Sequence, residues 1–99
     1  MEFTLIKHIV LFKLKDNSPE SVEKTYAVLN GMKGKVEQLV DLHIGKNIVD
    51  TPRSYDLSLE ATFRSLEDLQ GYQVHPEHKK VIEHISEVRE SQSVVDYEF

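Results

Sequence analysis

The sequence predicts an α+β sandwich in which one antiparallel sheet carries helices on a single face. Three observations lead there. Four stretches have the period of two of β-strands, helical stretches with apolar residues three and four apart lie between them, and one proline-broken junction divides the second helical region in two.

The first strand spans residues 5–13 and is apolar in both phases, with Ile6, His8, Val10 and Phe12 on one side and Leu5, Ile9 and Leu11 beside Lys7 on the other. Such a strand is buried on both faces. Asp16-Asn17 turn the chain, and Ser18-Pro19-Glu20 supplies an N-cap, a first-turn proline and an acid. The helix they start keeps Val22, Tyr26, Leu29 and Met32 at helical spacing and weakens at Gly31 and Gly34. Val40, Leu42 and Ile44 alternate with polar neighbours as a second strand. Residues 45–54, with Asn47, Asp50 and Thr51-Pro52, read as an irregular connection.

Leu57, Leu59, Ala61 and Phe63 alternate strictly with Ser58, Glu60 and Thr62, the clearest strand of the chain. Ser65-Leu66-Glu67-Asp68 has the form of a capping box and opens a short helix through Leu69 and Tyr72. Tyr72-Gln73-Val74-His75-Pro76-Glu77-His78 cannot be the interior of one helix, because Pro76 lacks an N–H and its ring clashes with the preceding turn. His75 is therefore read as an N-cap and Pro76 as the first residue of a new helix, whose stripe is His78, Val81, Ile82, Ile85 and Val88, with Glu90 among its polar positions. His84 falls at the edge of that stripe and is expected to be a solvated residue with no special role. Ser93, Val95, Tyr97 and Phe99 alternate with Val94, Asp96 and Glu98 as a fourth strand.

This order is that of a ferredoxin-like single domain over residues 1–99, with a four-stranded antiparallel sheet. Helices cover one side of such a sheet, so the two-sided first strand requires a second cover. A second copy of the chain supplies it most simply, and a homodimer is expected.

Composition narrows the function classes. The chain has 99 residues, 29% charged and 39% hydrophobic, with a net charge of −5. Interspersed signs leave no basic stripe for nucleic acid and no polybasic face for anionic lipid, so neither partner is expected. The start, Met1-Glu2-Phe3-Thr4-Leu5, has neither the basic region nor the apolar length of a secretory leader, and no stretch is long and apolar enough to span a membrane. With no cysteine there is no disulfide framework and no thiolate site, which fits a cytoplasmic location. His75 and His78 lack a third ligand at a conventional spacing, so no metal is expected. No glycine-rich phosphate loop is present, and no cofactor is expected.

The candidate chemistry lies at the histidine-proline junction. His78 falls in the first turn of the new helix, where the free backbone N–H groups favour a neutral, basic imidazole. Counting by twos places His8 with Val10 and Phe12 and Asp96 with Val94, so both point toward the helix carrying His78 if those are the helix-facing sides.

Several separated pieces then read together: Ile6-Lys7-His8-Ile9-Val10-Leu11-Phe12-Lys13, Gly45, the third strand with Ser65, the Tyr72 to His78 junction, and Val94-Val95-Asp96-Tyr97. In this order the chain resembles the stress-responsive A/B barrel (Dabb) family. The resemblance implies a dimeric α+β barrel. It also implies either a stress-associated protein without catalysis or a cofactor-free cyclase performing an aldol condensation on a polyketide. Carried over by position, the cyclase-like acid/base pair falls on His78 and Tyr72, with His8 and Asp96 as accessory polar groups. Tyr72 would donate to a developing enolate oxygen, and Tyr26, Leu42, Leu59 and Ile82 would wall a pocket for a small apolar or carbonyl ligand. The alternative is that the four polar residues satisfy one another as a buried network pinning helix to sheet.

Overall fold

The computed structural model describes residues 4–99. The leader reading at Met1, Glu2 and Phe3 lies outside the described residues, as does that part of the single-domain reading. The chain runs β1 (Ile6–Leu14), α1 (Pro19–Asn30), β2 (Asp41–Lys46), β3 (Leu57–Phe63), α2 (Leu66–Gln73), α3 (Pro76–Val88) and β4 (Arg89–Glu98). The sheet order is β2-β3-β1-β4 with every pair antiparallel, the ferredoxin-like α+β arrangement.

Local chemistry places each helix. Ser18 Oγ accepts from the Ser21 N–H at the start of α1, and Ser65 Oγ accepts from the Asp68 N–H at the start of α2. At α3 the cap is an imidazole: His75 Nδ1 accepts from the Glu77 N–H at 3.1 Å, ahead of Pro76. The remaining ring nitrogen of His75, Nε2, lies 3.4 Å from a Glu37 carboxylate oxygen, so His75 is engaged in shaping the junction. After α1 the chain turns through Gly34, whose φ of 80° favours a residue without a Cβ.

The core lies between the sheet and the helices. Ile6, Val10, Phe12 and Leu14 of β1 join Leu42, Ile44, Leu57, Leu59, Ala61 and Phe63 from the neighbouring strands, and Leu29, Met32, Leu69, Tyr72, Val81 and Ile85 close over them. The opposite side of β1 is left without a cover inside the chain, as expected. Lys7, Ile9, Leu11 and Lys13 are only half-buried within one chain, because no helix crosses that face.

Two expectations are corrected. β4 begins at Arg89, four residues earlier than Ser93, so Glu90 belongs to a strand and not to α3. Arg89 has extended backbone (φ −78°, ψ 140°) and its N–H still bonds to the Ile85 carbonyl, so helix passes into strand without a loop. His84 is not a free surface residue: its Nε2 lies 3.0 Å from Oγ1 of Thr25, which is completely buried, and the pair ties α3 to α1. A histidine at the margin of an apolar stripe can bury its ring while meeting a hydroxyl on the next helix.

Candidate functional site

The β1–β4 register sets His8 directly opposite Asp96. Both side chains face the helices, and His8 Nδ1 meets Asp96 Oδ1 at 2.5 Å. A carboxylate accepts, so Nδ1 carries the hydrogen and the ring is held in one orientation. Asp96 therefore orients His8 rather than His78. His8 is itself buried, while Asp96 keeps part of its side chain open to solvent.

Above this pair stands a small aromatic stack. Phe63 and Tyr72 have ring centroids 5.0 Å apart, His8 meets the Tyr72 ring edge-on at 6.1 Å, and His78 tilts against Tyr72 at 4.3 Å. The last contact crosses the proline junction. Because Pro76 stops α2 and restarts the chain as α3, a residue at the end of one helix faces a residue in the first turn of the next.

His78 Nδ1 lies 3.1 Å from the Gln73 carbonyl oxygen. Since a carbonyl only accepts, the hydrogen of the neutral ring sits on Nδ1 and the lone pair is on Nε2. Burial pushes the His78 pKa down from its ordinary value of 6.5; the Gln73 carbonyl opposes that shift, and the nearby His8 and His75 reinforce it. His78 is thus an uncharged imidazole at neutral pH with a basic nitrogen available. For Tyr72, which is 1% exposed, burial alone pushes the phenol upward, so it stays a protonated hydrogen-bond donor.

These groups surround a cavity of about 300 Å³ between the sheet and the α2–α3 layer. His8, Tyr72, His78 and Asp96 all line it. So do Leu59 and Ile82 of the expected walls, with Val10, Val81, Ile85 and Val94 beside them. Tyr26 and Leu42 do not. Tyr26 lies on α1 with Lys46 Nζ 4.8 Å from its ring centre, and Leu42 is packed in the core on the far strand β2. Both were read from apolar spacing, which identifies an inward face but not which part of a sheet four strands wide that face covers. Gln73 of the junction also lines the cavity, as do Ser86, Arg89 and Gln92, which no motif marked. Among the described residues no cluster of three or more histidine and carboxylate groups could hold a metal, and no helix is long and apolar enough to cross a membrane.

The Stress responsive A/B Barrel Domain model matches residues 6–99. The chain belongs to this family. It is 32% identical over 99 residues to the stress-response A/B barrel domain-containing protein DABB1 of Arabidopsis thaliana, covering 95% of this chain and 47% of that protein. The chain thus spans about half the length of that relative. Olivetolic acid cyclase of Cannabis sativa is 30% identical over 79 residues, covering 74% of this chain and 75% of the cyclase. Among solved structures, a dimeric protein of unknown function with a ferredoxin-like fold from Bacteroides fragilis superimposes with a TM-score of 0.82 at 30% identity, covering 96% of each chain. Family membership accounts for the fold, whereas the chemistry of this chain has to be argued from its own cavity.

Proposed function

We propose that this A/B barrel chain is a cofactor-free acid/base catalyst acting on a small carbonyl compound, working as a homodimer. The observation that carries the reading is that one cavity is lined by His78, Tyr72, His8 and Asp96 together. A network serving structure alone would be packed shut around its paired atoms. Here His78 Nε2 would remove the proton from carbon adjacent to the carbonyl, and the Tyr72 hydroxyl would donate to the oxygen as negative charge develops there. His8, whose Nδ1–H is held by Asp96, would present the lone pair of its Nε2 toward the same substrate. The likeness to a plant cyclase supports carbonyl chemistry as the class of reaction.

The dimer is supported by the uncovered face of the sheet. Register places Ile9 beside Val95 and Leu11 beside Ser93, while Val95, Tyr97 and Phe99 are each about half exposed. Two such faces packed together would bury them. The structural neighbour from Bacteroides fragilis is itself a dimeric protein.

A thermal-shift screen of small β-keto and phenolic compounds tests the function, since a binder raises the melting temperature by mass action whatever its chemistry. His78→Ala should abolish turnover of any binder while leaving the fold intact. If no such compound binds, or if His78→Ala turns over a binder as the parent does, the reading fails.

A further inference from the structure

The cavity has a second polar end, built by an irregularity in the sheet. β1 and β4 pair residue for residue from Ile6 with Glu98 to Lys13 with Ser91, and then the register jumps so that Leu14 faces Arg89. Glu90 is the extra residue of a β-bulge. In a regular strand, residues three apart point to opposite faces, whereas a bulge re-aims one of them. Arg89 and Gln92 consequently share the helix-facing side, both line the cavity, and Arg89 Nη1 donates to Gln92 Oε1 at 2.7 Å.

Arg89 has no carboxylate within ion-pairing distance among the described residues. Glu87 and Glu90 are its neighbours in sequence, yet neither lines the cavity, and Lys15 reaches the Glu87 carbonyl beside it. The carbonyl end of α3 also points its partial negative charge here. The guanidinium is therefore the group that makes this end receptive to an anion. Because Gln92 accepts through Oε1, its amide nitrogen keeps two hydrogens to donate. Val10, Leu59, Ile85 and Val94 form an apolar passage between this end and the histidines. Gln92 and Asp96 are four positions apart on β4, about 13 Å along the strand.

We propose that the ligand is an elongated oxo-acid, with its carbonyl at His78 and Tyr72, an aliphatic middle, and a carboxylate held by Arg89 and Gln92. This assignment rests on the carbonyl reading of the His78 end and adds the specificity-determining residue at the other. The bidentate geometry of guanidinium and carboxylate fits the planar fork of Arg89.

The test compares three probes by isothermal titration at pH 7.5: a methyl ketone bearing a carboxylate at its far end (oxodecanoic acid), its methyl ester, and the simple ketone decanone. The acid should bind about tenfold more tightly than the ester, a difference that shrinks as salt rises. Arg89→Gln should erase the preference, Arg89→Lys should keep part of it, and His78→Ala should keep it whole. Arg89 is exposed, so these replacements leave the core untouched. Ester and ketone binding as tightly as the acid, or a preference that survives in Arg89→Gln, overturns the proposal while the carbonyl site stands. If acid, ester and ketone all fail to bind, the cavity reading falls with it.

Discussion

Replacing Tyr72 with Phe separates a catalytic phenol from a structural one by the sign of a stability change. The ring contacts with Phe63, His8 and His78 survive the substitution, and only the hydroxyl is lost. Had that hydroxyl been a partner in a buried hydrogen bond, its removal would cost about 0.5–1.5 kcal/mol. Burial is the single influence acting on the phenol, with neither a hydrogen bond nor a charge contributing to its shift. Tyr72 lines the cavity and its hydroxyl has no protein partner to strand, so Tyr72→Phe should leave the protein unchanged or raise its stability by up to about 1 kcal/mol. For a domain of this length that is a rise in melting temperature between zero and about 8 °C. Turnover should meanwhile fall by about two orders of magnitude, the usual cost of one donor to a developing oxyanion. Tyr72→Ala is the control: it empties a core position and should cost about 3–5 kcal/mol. Thermal and urea unfolding at fixed protomer concentration, run beside a turnover assay, make the measurement. A Phe variant that melts several degrees lower and turns over normally would refute the reasoning.

Other outcomes follow from the same geometry. Because burial lowers the folded-state pKa of His78 below its ordinary 6.5, the unfolded chain binds that proton more readily. Its contribution to stability is complete above about pH 6.5 and declines as the pH falls through the folded value; His78→Gln should flatten this part of the urea-midpoint profile against pH. His84→Ala strands the completely buried Thr25 hydroxyl and should cost about 1–2 kcal/mol, while adding Thr25→Val should return part of the loss in urea unfolding. Val95→Lys places a charge on the uncovered sheet face and should convert the proposed dimer to a monomer in light scattering; an unchanged mass would place the interface elsewhere.

The sheet and helices were legible because each announces itself over several residues. β3 alternates over its whole length, and Ser18-Pro19, Ser65 and His75-Pro76 mark three helix starts that the structure places there. The start of β4 was not legible. Arg89-Glu90-Ser91-Gln92-Ser93 has no apolar alternation, so nothing in it opposes the helical pattern before it, and only pairing with Leu11, Phe12, Lys13 and Leu14 makes it a strand. That blindness had a functional cost, since Arg89 and Gln92 stand on this segment. The opposition of His8 and Asp96 could be anticipated in direction, because parity along a strand fixes the face. Which imidazole Asp96 would hold depended on the inter-strand register, a nonlocal quantity. Tyr26 and Leu42 show the converse limit: an inward-facing apolar residue can belong to the core without reaching a cavity. His84 shows it again, for its position on the wheel was marginal and a buried threonine on another helix decided its place.

The central claim is that a neutral His78 removes a proton from carbon beside a carbonyl while Tyr72 supports the oxygen. Proton NMR in deuterium oxide measures it directly, by following loss of the α-hydrogen signal of the oxo-acid or the simple ketone in the presence of the protein. The parent chain should accelerate exchange well above buffer, at a rate that falls only as the pH drops through the folded-state value of His78, which lies below its ordinary 6.5, and His78→Ala and Tyr72→Phe should each remove most of the acceleration. Exchange no faster than in buffer, or an equal rate with His78→Ala, would contradict the account.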